Sequence, residues 1–263
     1  MKVFVALVAL CMVIQAGVAV KAQSTRPTDV PVVLVADFTN LTKDKHALIL
    51  QAAADGVAAE LKKRGVYEVI SRSQVEKTAA NRGMRPPYSA EDYVQVAKDL
   101  GAELIVSGEI REVYGSIKGV EREVEVGIVV RVKDTESGDM VNGAATRGSV
   151  TAPGGSKSEG ELGIDAAALA ATRAVTQIES YKAITGTIMN SVGNGPLMLN
   201  RGATHGVKSK QEFIVLRAGK HIGRVQARKP SSSYTELNVL ENNAGIQPQD
   251  RVIALFPEPK LTK

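Results

Sequence analysis

Seven cations crowd a short stretch late in the sequence: Lys208, Lys210, Arg217, Lys220, Arg224, Arg228 and Lys229. Such a set draws an anionic surface toward it, an acidic protein face or an anionic envelope polymer, with strong dependence on salt. A basic surface that only keeps the chain soluble is the plain alternative. Arg224 and Arg228 alternate with Val225 and Ala227, which puts the two arginines on the wet face of one strand. No aromatic residue stands among the seven. Nucleic acid, which is held through stacking as well as charge, is therefore disfavoured as a partner.

Other chemistry is scarce. Asp37 closes an apolar run at 30–38, and the carboxyl end of a buried strand is where α/β folds place active sites. Paired with a loop carboxylate such as Glu109 it would give a hydrolase its acid and base. The simpler role is to brace the following loop through Asn40 or a backbone N–H. His46, His205 and His221 lack the i, i+4 spacing of a helical metal site. In Ala152-Pro153-Gly154-Gly155-Ser156-Lys157-Ser158, Ser156 stands where a phosphate loop needs glycine. There is no G-x-S-x-G elbow, and the single cysteine is Cys11. The sequence thus offers no catalytic set, no metal site and no cofactor site, and reads as a non-enzyme.

The elements that carry these residues fall into two halves. Residues 23–180 hold 19 Lys and Arg against 23 Asp and Glu, whereas 181–263 hold 12 against 5, so the basic character belongs to the C-terminal part. In the first half, the unbroken apolar run at 30–38 predicts a strand buried on both faces. The periodicity predicts helices over 46–64, 74–82 and 90–100, the last capped by Ser89 and ended by Gly101. Strands are expected at 66–70 and 104–106. Val124, Val126, Ile128, Val130 and Val132 alternate with Glu125, Arg131 and Lys133, the pattern of a strand with one wet face. Glu136-Ser137-Gly138-Asp139 turns into a further strand at 140–150, and a stripe of Ile164, Ala167, Ala171, Ala174 and Ile178 closes the half with a helix. The second half offers six short strands with glycines between them, the pattern of a small β-barrel. The fold class is α+β: a mixed-sheet α/β sandwich over 23–180 followed by a barrel over 181–263.

The chain opens with Met1-Lys2, an apolar run over 3–14 and a small-residue stretch, the order of a secretory signal peptide spanning 1–22. Val20-Lys21-Ala22 is the first choice of processing site and Gly17-Val18-Ala19 the second, with an uncleaved anchor as the alternative. Leu10 precedes Cys11 where a lipoprotein signal needs a small residue, so the exported chain is read as not lipidated. No later segment is apolar enough to span a bilayer, and a cysteine-free mature chain tolerates an oxidising compartment.

Val33-Leu34-Val35-Ala36-Asp37-Phe38-Thr39-Asn40, Tyr67-Glu68-Val69-Ile70-Ser71-Arg72 and Ala97-Lys98-Asp99-Leu100-Gly101-Ala102-Glu103-Leu104-Ile105-Val106-Ser107-Gly108 occur in the order found in the curli channel subunit CsgG and the N-terminal domain of TolB. The hairpin Val130-Arg131-Val132-Lys133-Asp134-Thr135-Glu136-Ser137-Gly138 agrees, and residues 30–180 resemble that family. Leu199-Asn200-Arg201-Gly202-Ala203-Thr204-His205-Gly206-Val207, with Phe213-Ile214-Val215-Leu216-Arg217, resembles the SH3-like domain of the flagellar assembly protein T (FlgT). Lys210-Gln211 and Gln249-Asp250 depart from it where Gly-Asp is expected. The resemblance implies an envelope component, in the periplasm or on the periplasmic face of the outer membrane, and with the export signal the chain is read as an exported non-enzyme. Such a protein serves as scaffold or assembly factor for a flagellar, curli or secretion structure. Its partners would be envelope assembly proteins or a second copy of itself. The long membrane hairpins of the curli channel have no counterpart, so no pore is expected. A module binding anionic cell-wall polymer, and less so an envelope hydrolase, are the alternatives.

Overall fold

Strand β1 (Val32–Val35) lies between two parallel neighbours, β3 (Glu68–Val69) and β4 (Leu104–Lys118). The computed structural model describes residues 30–42, 47–189 and 196–261; the expected signal peptide, Cys11 and His46 lie outside the described residues. Val33 packs toward one face of the sheet, and Val32, Leu34 and Ala36 toward the other. Burial on both sides is what the unbroken apolar run required. The strand is shorter than expected. A brief β2 (Thr39–Asn40) resumes beside β4 after Asp37.

Beyond β4 the sheet becomes antiparallel, with β5 (Glu121–Asp134) and β6 (Met140–Pro153), in the order β3-β1-β4-β5-β6. The sequence showed only the start of β4, residues 104–106, because its outer part carries Tyr114, Ile117 and Lys118 into solvent. Helices α1 (Ala47–Arg64) and α4 (Glu159–Ser180) cover one face. Helices α2 (Arg72–Asn81) and α3 (Ala90–Leu100) cover part of the other. The core stripe of α4 is wider than the expected one. Leu162, Ala166 and Ala170 join it, while Ile164 is only partly buried. These alanines let α4 lie close on β6, where Gly148 leaves no room for even a methyl group. Serines cap three of the helices: Ser71, Ser89 and Ser158 each form a reciprocal box with the residue three positions on.

After α4 come β7 (Thr185–Met189), β8 (Leu197–Leu199), β9 (Glu212–Arg217), β10 (Lys220–Pro230), β11 (Thr235–Asn242) and β12 (Arg251–Ala254). They close into a six-stranded barrel in the order β10-β11-β8-β7-β12-β9, around Ile188, Leu199, Phe213, Val215, Val225, Leu237 and Val252. Its outer face is not free. Ile214 and Leu216 of β9, with Ile253 and Leu255, join the core of the sheet. The tail then crosses the face opposite α4. Phe256 N–H donates to the Met140 carbonyl at 2.8 Å, the Phe256 ring meets Tyr181 edge-on at 4.7 Å, and Glu258 pairs with Arg131.

Candidate functional site

The seven cations do not share one surface. Arg217, on β9, forks onto Asp250: Nε donates to Oδ1 at 2.7 Å and Nη2 to Oδ2 at 2.8 Å, and Nη2 also donates to the Gly245 carbonyl. Asp250 is buried. Burial alone would raise its carboxyl, but Arg217 and the Gln247 N–H outweigh that and hold it below the usual carboxylate range. Arg224 donates through Nη2 to Asp139 in the β5–β6 turn at 2.5 Å, which ties the barrel to the sheet. These two guanidiniums are committed inside the molecule.

The remaining five cations are exposed, and none has a carboxylate within ion-pair distance among the described residues. Lys220 stands at the β9–β10 turn. The other four gather at the far end of β10, eight residues and roughly 25 Å along the strand. There the 208–211 turn is stitched to the strand: Lys210 N–H donates to the Ala227 carbonyl at 2.8 Å, and Ala227 N–H to Gln211 at 2.8 Å. Ser209 Oγ donates to the Arg228 carbonyl at 3.4 Å. Lys208, Lys210, Arg228 and Lys229 therefore project from one corner of the barrel. Lys210 holds a left-handed φ of 65° and Gln249 one of 72°. Both occupy the turns where the sequence departs from Gly-Asp, so the turn shapes persist although glycine does not.

Asp37 lies elsewhere, at the end of β1. Its backbone N–H donates to the Tyr93 hydroxyl at 3.1 Å, the Tyr93 hydroxyl donates to Asp37 Oδ2 at 2.7 Å, and Arg72 pairs with Oδ1. Burial pushes the Tyr93 phenol well above its ordinary range, and the Asp37 carboxylate adds to the shift. A cavity does open beside Asp37, but Glu109 is not among its walls. Glu109 is buried and gripped by Arg131 and by Arg111, the latter at 2.6 Å. The two carboxylates considered as acid and base do not share a pocket. Asp55 and Glu76, which sequence reasoning passed over, do line it; their spacing within separate helices gave no signal.

His205 Nδ1 accepts from the Gly202 N–H at 3.3 Å within a short turn, and the His221 Nε2 is buried in β10 with no hydrogen-bond partner among the described residues. No group of three or more potential ligands that could hold a metal occurs among the described residues. No described helix is long and apolar enough to cross a membrane.

No curated protein matches the chain. Among solved structures, it is similar to the lipoprotein GNA1162 from Neisseria meningitidis, with 20% identity over 57% of this chain and 99% of that one, and a TM-score of 0.39. The PelC dodecamer from Paraburkholderia phytofirmans shares 20% identity over 54% of this chain and 85% of that one, at a TM-score of 0.35. The LpoB C-terminal domain from Escherichia coli shares 16% over 46% and 82%, at 0.33. The family model described as peptidoglycan-synthase activator LpoB matches residues 8–142, about half of the chain, and ends inside β6, ahead of the barrel. The chain belongs to the LpoB family.

Proposed function

We propose that this protein is an exported, non-enzymatic envelope factor that regulates a peptidoglycan synthase by binding it, and that the barrel corner bearing Lys208, Lys210, Arg228 and Lys229 makes the contact. The observation that carries the reading is the division of the cations. Arg217 and Arg224 are spent on internal carboxylates, while four others stand together at one corner with no ion-pair partner among the described residues. Like charges on one corner repel each other, and an acidic partner face relieves that repulsion while steering the encounter. The family supports a synthase as the partner.

In this reading residues 1–22 direct export to the periplasm and are not lipidated. Residues 23–180 form the α/β domain and 181–263 the SH3-like barrel. The resemblances to CsgG, TolB and flagellar assembly protein T support docking roles for both units, with service to a curli, flagellar or secretion structure as the narrower possibility. Self-association and an anionic cell-wall polymer are the competing partners. In-cell crosslinking separates them. Enrichment of a peptidoglycan synthase is expected, and recovery of the chain alone or of wall fragments would overturn the reading.

A further inference from the structure

The chain leaves β1 through α1 on one face of the sheet and reaches β4 through α2 and α3 on the other. The carboxyl end of β1 is therefore a topological switch point, where open α/β sheets leave a crevice suited to a ligand. Here that crevice is a cavity of about 430 Å³. Its wall is largely apolar, with Ala54 and Ala58 from α1, Val75 from α2, and Met84, Pro86 and Tyr88 from the segment before α3.

At its mouth stands Arg72, already faced by three carboxylates. Asp37 pairs with Nη2, Asp55 Oδ1 lies 3.1 Å from Nη1, and Glu76 Oε1 lies 3.4 Å from Nε. One cation against three anions leaves the mouth with an excess of two negative charges. An anionic ligand would meet that excess and find no free guanidinium edge. Asp55 and Glu76 each spend one oxygen on Arg72 and keep the other without a hydrogen bond among the described residues. Both side chains are about half exposed, so a ligand can reach them.

We infer that this cavity binds an aliphatic chain ending in an ammonium or guanidinium group. The stem lies against Ala58, Met84 and Tyr88, and the cationic head sits on the open oxygens of Asp55 and Glu76. Burying the stem supplies the hydrophobic gain, and the excess charge selects a cationic head over a neutral one. Two sources carry this chemistry, a free alkylamine and the lysine or arginine side chain of another polypeptide.

The test is a titration of the full mature chain, followed by backbone and tyrosine NMR, with n-butylammonium, butan-1-ol and the capped lysine N-acetyl-lysine methylamide. Saturable shifts confined to α1, α2 and the segment before α3 are expected with n-butylammonium, and much weaker ones with butan-1-ol. Tighter binding of capped lysine would identify a polypeptide side chain as the source, and equal or weaker binding a free amine. D55N/E76Q is expected to weaken the amine at least about tenfold. A58L keeps the carboxylates but fills the stem site, and is expected to do the same with the remaining spectrum unchanged. Absence of shifts at the cavity, or equal response to amine and alcohol, would overturn the inference. So would retention of binding in both variants.

Discussion

Arg224 Nη2 lies 2.5 Å from Asp139 Oδ1, a bond from the middle of the barrel's longest strand to the turn between the last two strands of the sheet. It replaces a contact that sequence patterning assigned to a partner with one that holds the molecule together. The Asp139 side chain is 14% exposed, so removing its partner leaves a nearly buried anion without compensation. R224A is expected to lower unfolding free energy by about 1–3 kcal/mol in urea titration. K220A, on an exposed lysine two β-strand repeats away, should change it by less than about 0.5 kcal/mol.

Asp250 ties the stability of the barrel to pH. Its carboxyl is depressed in the fold, with burial opposing and Arg217 and the Gln247 N–H prevailing. A depressed carboxyl stabilises the fold above its unfolded value, about 3.9, and that stabilisation is lost as pH falls through the folded value. Losing the charged hydrogen bonds of this carboxylate, D250N should cost about 1.5–3 kcal/mol at pH 7. The gap to the natural chain should close below about pH 4, as measured by urea unfolding at a series of pH values.

Gly148 fixes the distance between α4 and β6. A Cβ built there meets the Ala166 carbonyl oxygen at 2.1 Å and the Ala170 nitrogen at 2.6 Å, both backbone atoms that cannot turn aside. G148A must lift α4 from the sheet and break the Thr146 bond to the Ala170 carbonyl. A loss of about 3 kcal/mol or more is expected, read from thermal and urea unfolding. G160A, where nothing lies within 4 Å on the first turn of the same helix, should be neutral or mildly stabilising.

Much of the scaffold could be read from the residues, and the reasons are local. Ser89 and Gly101 bracket α3 at the expected residues because a cap and a left-handed terminator are short-range devices. The six short strands expected of the second half are there and close into a barrel. What escaped was non-local. The outer half of β4 has no apolar alternation, and forms because β5 pairs with it along its whole length. Arg217 and Arg224 look like surface cations in sequence, and only the fold brings Asp250 and Asp139 to them. Asp37 was legible as a strand-end carboxylate. Its neighbours Asp55, Arg72 and Glu76 come from two helices that meet only in the folded chain.

The proposed contact between the barrel corner and a peptidoglycan synthase is tested most directly by one comparison. The periplasmic part of the synthase recovered by in-cell crosslinking is titrated with the natural protein and with K208E/K210E/R228E/K229E, at low and physiological salt, the variant's fold being verified by its unfolding curve. Reversal of the four charges is expected to weaken binding by at least about a hundredfold and to invert its salt dependence, because added salt then screens a repulsion. Binding of unchanged strength and salt dependence by a folded variant would contradict the account and remove the barrel corner from it.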